Sequence, residues 1–238
     1  MNALTFAPRH VFIPIADPRG NGGRLTMVRA DDVPPAYDAA LIPQIAELAH
    51  RDLYEAGSVA LGAIRRLRLH TRGPVNFQPL RAKPIPGFLS TSDGPNVISL
   101  DAANARSAEL GLALALLAFG GQCSECVIIA TGQLDADAAQ DDDVLVHPVG
   151  ELARKFQAIH NAVEAGTVPV AASARIQLFV PEQTADGRKT ITAHADDFAK
   201  LDTTVTRKGG TLEICPVGCH AQWVHQPFGH PWTGTNGG

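Results

Sequence analysis

Residues 104–155 read NARSAELGLALALLAFGGQCSECVIIATGQLDADAAQDDDVLVHPVGELARK. The Ala- and Leu-rich run that opens at Ser107 has the composition of a buried helix. The β-branched run CVIIATGQL that follows predicts a core strand, which ends at Thr131 and Gly132. The segment VLVHPVGELARK then predicts a short strand that leads into a second helix carrying Lys155.

Strand patterns and helix patterns alternate along the rest of the chain. Two strands around the turn DPRGNGG predict a β-hairpin over residues 9–29. Helical spacing predicts a helix over 36–57 that Gly57 ends, and alternation of Ile64, Leu67 and Leu69 predicts a strand within 58–73. Further predictions are strands near 75–80, 97–101, 174–181 and 210–217, and helices over 151–166 and 195–201. The sequence therefore predicts an α/β (α+β) fold with two helices packed on one mixed sheet.

Composition limits the function classes. The chain has 238 residues, of which 45% are hydrophobic and 18% charged, and its net charge is −4, as is ordinary for soluble globular proteins. The only basic cluster is Arg65, Arg66 and Arg68, which alternates like a solvated strand face, so we expect no nucleic-acid binding. No apolar run is long enough to span a membrane, and the first residues lack a signal-peptide pattern, so a cytoplasmic protein without membrane contact is expected.

Three short motifs stand in a defined order. Ser107-Ala108 precedes the Ala/Leu-rich helix, Thr131-Gly132 ends the core strand, and Pro148-Val149-Gly150 precedes Lys155. This order resembles the proteolytic domain of the Lon-like (S16 family) serine peptidases, over roughly the last 180 residues. In that family a serine before an Ala/Leu-rich helix is the nucleophile, and the lysine after a Pro-[Ile/Val]-Gly-Gly motif is the base.

The resemblance implies a fold and an activity. The fold is the Lon proteolytic domain, which is like domain 2 of ribosomal protein S5. The activity is serine-type endopeptidase activity, with Ser107 as nucleophile, Lys155 as general base and Thr131 orienting the lysine amine. Lon domains form rings, so self-association into a homo-oligomer is implied. Lon peptidases also carry an ATPase, but a G-x-x-x-x-G-K-[ST] loop is absent from these 238 residues, so the expected partners are a protein or peptide substrate and a separate ATPase or dedicated partner protein.

The serine loop departs from the family pattern at two positions. Arg106 replaces a proline and Glu109 replaces a glycine, while Glu151 replaces the second glycine of the lysine motif. Because Ser107 precedes a helix, the backbone amides of Ala108 and Glu109 are the expected oxyanion donors. A Glu109 carboxylate that paired with Lys155 would hold the amine protonated and disable it as a base.

Two alternatives accompany the peptidase interpretation. A serine before a helix is a common cap, and a lysine early in an amphipathic helix is commonly solvated, so both residues have structural interpretations. At the level of the whole protein, the alternative is a catalytically silent Lon-like fold that serves as a binding or scaffold subunit of a larger assembly. The sequence predicts three parts in either case: an N-terminal hairpin and helix extension over 1–57, a Lon-like domain over 58–221, and an irregular tail over 222–238.

Cysteine spacing suggests a weaker hypothesis. Cys123 and Cys126 form one pair, and Cys215 and Cys219 form another that His220 follows. Two such pairs are the raw material of a structural zinc site, although buried cysteines in strands also serve as small apolar residues. The reaction implied by the resemblance needs no cofactor, and zinc is the only metal that the cysteine pattern suggests.

Overall fold

A computed structural model describes residues 10–16, 23–32, 51–67, 75–79, 106–116, 126–135, 144–166 and 168–219. The strands are β1 (His10–Ala16), β2 (Gly23–Asp32), β3 (Val75–Pro79), β4 (Cys126–Ala130), β5 (Gln133–Leu134), β6 (Val146–His147), β7 (Arg175–Pro181) and β8 (Thr211–Val217). The helices are α1 (Arg51–Arg66), α2 (Glu109–Leu116), α3 (Leu152–Glu164), α4 (Thr190–Ala193) and α5 (Ala195–Arg207).

Six strands form one mixed sheet in the order β3-β2-β1-β4-β7-β8. Strands β1, β4, β7 and β8 pair in parallel, whereas β2 pairs antiparallel with β1 and with β3. The predicted N-terminal hairpin is confirmed as β1 and β2, and the predicted mixed α/β class is confirmed. The two remaining strands, β5 and β6, form a separate antiparallel pair.

The sheet is buried on both faces at its centre. Phe12, Val127 and Ile129 belong to a core cluster that includes the apolar side of α3 and residues Phe198, Leu201 and Val205 of α5. Their sequence neighbours Ile13, Ile128 and Ala130 are equally buried and point to the opposite face, because successive strand residues alternate. Helix α2 lies on that opposite face. The fold is therefore a sheet between two helical layers, whereas the sequence predicted only two helices packed on the sheet.

Helix α2 approaches the sheet closely through a glycine. A Cβ placed on Gly111 would lie 2.7 Å from Cγ1 of Ile13 and 3.3 Å from the carbonyl oxygen of Ala130. Real Cβ atoms essentially never come within 3.0 Å of a heavy atom from elsewhere in the chain, so the contact excludes a larger residue. Gly111 thus fixes the depth at which the segment that follows Ser107 is packed.

Helix α1 corrects the prediction for residues 51–66. The sequence predicted a helix that stops at Gly57 and a strand after it, but the helix continues through Gly57 to Arg66. Ala56, Ala60, Ala63 and Ile64 are buried at three- and four-residue intervals, which is the period of a helix. The free energy gained by burying this face outweighs the cost of a glycine within a helix, which is about 1 kcal/mol. The predicted solvated strand face at Arg65 and Arg66 was therefore wrong.

The N-terminal strands belong to the same sheet as the later strands. The predicted division after residue 57 falls inside α1, and β1 lies between β2 and β4. The predicted strand over 97–101 and the predicted tail over 222–238 lie outside the described residues. No helix in the described part of the chain is long and apolar enough to cross a membrane.

Candidate active site

Ser107, Thr131 and Lys155 come from three elements that meet at the carboxyl end of β4. Thr131 directly follows β4, Ser107 lies two residues before α2, and Lys155 lies one turn into α3. Helices α2 and α3 cover opposite faces of the sheet, so the two helical layers approach each other at this strand end. In open sheets with parallel strands, ligand sites form beyond the carboxyl ends of the strands, where the connections change face.

A chain of hydrogen bonds links the lysine to the serine residue. The Nζ atom of Lys155 donates to Oγ1 of Thr131 at 3.2 Å. The Thr131 hydroxyl in turn donates to the carbonyl oxygen of Ser107 at 3.3 Å. Because the hydroxyl proton is directed to Ser107, an oxygen lone pair faces the amine. A neutral Lys155 amine that donates one proton to Thr131 keeps its own lone pair available as a base.

The Lys155 amine is buried among apolar side chains. Only 2% of the residue is exposed, and Leu152, Phe156 and Ile159 are buried on the same helix. Burial disfavours the ammonium form and lowers the pKa of Lys155 from 10.5 to about 7. A lysine with such a pKa is a competent general base near neutral pH.

Glu151 acts on the same lysine from the N-terminus of α3. Its carboxylate raises the pKa of Lys155 and so opposes the effect of burial. Its Oε2 atom lies 3.3 Å from Nε of Arg154, and its backbone has φ 59° and ψ 32°. This left-handed conformation favours glycine, which is the residue that the lysine motif of the Lon-like family has at this position.

The serine loop is bound to the segment that follows β4. The amide of Gly132 donates to the carbonyl oxygen of Ser107 at 3.0 Å, and the amide of Leu110 donates to the carbonyl oxygen of Gly132 at 3.1 Å. Ser107 is 3% exposed. The first amides of a helix have no acceptor within the helix, so those of Ala108 and Glu109 remain the predicted oxyanion donors.

Glu109 has partners other than Lys155. Its Oε2 atom accepts from the amide of Leu134 at 2.7 Å, and its Oε1 atom accepts from Nε of Arg106 at 3.1 Å. The amide oxygen of Gln133, in the orientation that satisfies its hydrogen bonds, accepts from both terminal nitrogens of Arg106 at 2.8 and 2.9 Å. Burial raises the pKa of the Glu109 carboxyl, while the bonds to Leu134 and Arg106 lower it in part. Glu109 is therefore bound in a network that joins the serine loop to β5, and this network takes the place of the Glu109–Lys155 pair that would have disabled the base.

Sequence reasoning missed this network because its acceptor and donor are remote in the chain. Leu134 donates through its backbone, so its side chain carries no signal of the contact. A second pair, Oδ2 of Asp135 and Nε2 of His147 at 3.3 Å, joins the hairpin of β5 and β6. The sequence shows that this hairpin carries acidic residues and a histidine. Which of them pair depends on the strand register, and the sequence does not reveal that register.

Cys126 and Cys215, one from each predicted pair, lie far apart in the sheet. Through β7, the strand register sets Cys126 level with Thr211, which lies four residues before Cys215 on β8. At about 3.3 Å per residue and 4.8 Å per strand, their backbones are roughly 16 Å apart. Burial raises the pKa of the Cys215 thiol to about 12. Cys123, the side chain of Cys126 and His220 lie outside what the structure describes, and the described residues contain no group of three metal-ligand side chains.

Comparison with known proteins adds no assignment to this geometry. No protein-family model matches the sequence, and no curated protein matches it. The function of the chain is therefore inferred from the site itself.

Proposed function

We propose that this chain is a Lon-like serine peptidase in which Ser107 is the nucleophile and Lys155 the general base. The observation that carries the proposal is the buried Lys155 amine, whose pKa is lowered to about 7 and whose hydrogen bond to Thr131 leads to Ser107. A solvated structural lysine would have neither feature. The mixed sheet with helices on both faces is compatible with the Lon-like fold, which belongs to the same proposal.

The reaction is acyl transfer. The Ser107 hydroxyl oxygen attacks a peptide carbonyl carbon while its proton passes to the neutral Lys155 amine. The oxyanion that forms accepts hydrogen bonds from the amides of Ala108 and Glu109. The C–N bond then breaks, Lys155 returns the proton to the leaving amine, and water hydrolyses the acyl-enzyme with Lys155 again as base.

Thr131 keeps the base oriented through this cycle. Its oxygen receives one proton of the amine, and its own proton is held by the Ser107 carbonyl. The hydroxyl therefore links the serine backbone and the lysine amine on opposite sides of the same strand end. Because Ser107 is nearly buried, the substrate must be an extended, accessible segment of a protein or peptide, presented by a separate ATPase or by a dedicated partner. Self-association into a ring belongs to the same proposal, as does a cytoplasmic location.

The test is covalent labelling with a fluorophosphonate, a small probe for activated serines. Labelled protein is analysed by intact mass and peptide mapping for wild type, Ser107→Ala and Lys155→Met. We expect one adduct on Ser107 that both substitutions abolish. Matched controls are Ser173→Ala and Lys200→Met, which change an exposed serine and an exposed lysine and should label like wild type. An adduct on Ser107 that survives Lys155→Met would contradict the dyad.

The second candidate is a catalytically silent Lon-like scaffold. The observation that favours it is the 3% exposure of Ser107, together with Arg106 and Glu109 in the serine loop. A scaffold predicts no adduct on Ser107 and no cleavage of unfolded casein or short peptides at any pH between 6 and 9. Labelling combined with peptide cleavage therefore separates the two candidates.

A further inference from the structure

The segment that contains Ser107 runs beside residues 132–134, and three of the hydrogen bonds that hold it there use the backbone of those residues. Two are between backbones: the amide of Gly132 donates to the Ser107 carbonyl at 3.0 Å, and the amide of Leu110 donates to the Gly132 carbonyl at 3.1 Å. The third uses a side chain, because the amide of Leu134 donates to Oε2 of Glu109 at 2.7 Å. At this position α2 has begun, and its backbone no longer runs beside residues 132–134. The Glu109 side chain therefore supplies the acceptor for the Leu134 amide.

The amide of Leu134 faces away from the β5–β6 hairpin. Asp135 donates its amide to the carbonyl of Leu145, so the next residue back along the strand, Leu134, directs its amide to the other side. Leu134 is fully buried and Glu109 is 1% exposed. A buried amide without an acceptor is costly, as is a buried carboxylate without donors. The Leu134 amide is satisfied by Glu109, and the Glu109 carboxylate is satisfied by Leu134 together with Arg106.

The position of Ser107 depends on this segment. The Ser107 carbonyl that accepts from Gly132 also accepts from the hydroxyl of Thr131, the partner of Lys155. A shift of the serine segment along residues 132–134 therefore changes the distance between Ser107 and the lysine amine. Nucleophilic attack is sensitive to misplacements of about 1 Å.

We propose that Glu109 is a positioning residue for Ser107: its carboxylate anchors the serine segment to the Leu134 amide and so sets Ser107 against Thr131 and Lys155. The inference deepens the proposed function and, in its kinetic part, rests on it. Glu109 does not contact the reacting atoms through its side chain. Its effect passes through the Leu134 amide and the backbone bonds of Gly132.

A competing explanation gives the carboxylate a purely electrostatic role. A negative charge in the first turn of a helix is stabilised by the helix dipole, and Glu109 also pairs with Arg106. That role needs the charge of the side chain, whereas anchoring needs its reach to Leu134. Glutamine keeps the reach without the charge, and aspartate keeps the charge on a side chain that is shorter by one methylene.

The experiment compares Glu109→Gln and Glu109→Asp in the full chain. The first measurement is the rate of fluorophosphonate labelling of Ser107 between pH 6 and 9. We expect Glu109→Asp to slow labelling about tenfold or more and Glu109→Gln to recover most of the rate, to within about threefold of wild type. The pH midpoint of labelling should not move in either variant, because anchoring alters the position of Ser107 and not the pKa of Lys155.

The second measurement does not need activity. Hydrogen exchange of the Gly132 and Leu134 amides is followed by NMR on the same three proteins, under conditions where circular dichroism shows them folded. We expect both amides to exchange about tenfold faster or more in Glu109→Asp and to stay protected in Glu109→Gln. Faster exchange at Gly132 is the informative result, since its amide contacts Ser107 and not Glu109.

Three outcomes decide the matter. Protection of Gly132 that Glu109→Asp leaves unchanged would overturn the anchoring role. Labelling and protection that aspartate retains and glutamine loses would overturn it in favour of the electrostatic role. An absence of labelling in wild type would overturn the proposed peptidase, and hydrogen exchange would still decide whether Glu109 anchors the serine segment.

Discussion

The amine of Lys155 and the hydroxyl of Thr131 lie 3.2 Å apart, and both residues are buried, at 2% and 0% exposure. Thr131 follows a central strand, while Lys155 belongs to a helix that packs on one face of the sheet. Thr131 is the contact through which the lysine is tied to the Ser107 backbone, so the properties of this pair govern the chemistry proposed for the site.

Removal of the Thr131 hydroxyl should impair the serine. In Thr131→Val the shape is kept, but the buried Lys155 amine loses its acceptor, which costs about 1–3 kcal/mol of stability. The Ser107 carbonyl still accepts from Gly132, so the loop itself stays bound. We expect the labelling rate of Ser107 to fall about tenfold or more, measured as adduct formation over time. Thr131→Ser should recover most of the rate, and wild-type labelling in Thr131→Val would contradict the role of the hydroxyl.

The pH dependence of labelling should report the lysine. Only the neutral amine accepts a proton, so the rate should rise with pH and reach half its maximum near pH 7, the pKa of Lys155. Glu151→Gln removes the charge that raises this pKa and keeps the side-chain length. Its midpoint should lie at lower pH than that of wild type.

The control for that shift is Asp196→Asn, which removes an exposed carboxylate from the first turn of α5. Its pH profile should match wild type. A midpoint that Glu151→Gln leaves in place, or moves to higher pH, would contradict the electrostatic link between Glu151 and Lys155.

Stability should depend on pH through Lys155. The pKa of this residue is about 7 when folded and 10.5 as the reference for the unfolded chain, so between these values the unfolded state binds more protons. Stability therefore rises as pH increases from about 7 to 10.5, and below pH 7 the full penalty of the buried charge applies. Lys155→Met lacks this penalty and should be more stable at pH 6–7, by an amount on the order of 3–5 kcal/mol.

Urea denaturation of both proteins at several pH values measures the effect. The stability difference between Lys155→Met and wild type should shrink as pH rises from 7 to 10, because the folded protein has already lost the Lys155 proton and removing that proton from the unfolded chain costs less as the pH approaches 10.5. The subtraction cancels the titration of groups that the two proteins share. A constant difference across this range would show that the amine is not buried as described.

Two glycines should respond in opposite directions to alanine. Gly111 faces Ile13 at a distance that excludes a Cβ, so Gly111→Ala should lower the free energy of unfolding by about 1–3 kcal/mol. Gly62 lies in α1 with open space around it, and Gly62→Ala should raise this free energy by about 0.5–1 kcal/mol. Denaturant titration of the two variants checks both signs. A stabilising Gly111→Ala would show that α2 does not pack this closely on β1.

Local patterns predicted the elements that carry the site. The apolar spacing of Leu152, Phe156 and Ile159 gives the helix of Lys155, and the β-branched run before Thr131 gives β4. The prediction that Gly57 ends a helix was wrong, because burial of the alanine-rich face of α1 outweighed the low helix propensity of glycine. The strand predicted from Ile64 and Leu67 was wrong, because these two residues are three positions apart, which is also the interval between neighbours on one face of a helix.

Long-range pairing could not be predicted in the same way. Nothing near Phe12 indicates that β1 lies beside β4, more than one hundred residues later. The partner of Glu109 is a backbone amide on β5, and any residue type other than proline would supply it. Lys155 is likewise buried because the two helical layers meet at the end of β4, and the sequence of α3 alone does not specify that meeting.

Ser107 and Lys155 belong to layers on opposite faces of one sheet, and this has a consequence for the newly made chain. Residues that precede β4 supply the serine, and the lysine arrives only with α3, whose apolar side is covered by β7 and α5. A polypeptide that has docked only one layer contains no desolvated amine beside the serine. Such a chain therefore lacks the proposed Ser107–Lys155 dyad, and we expect reactivity to appear only when α5 has packed over the core.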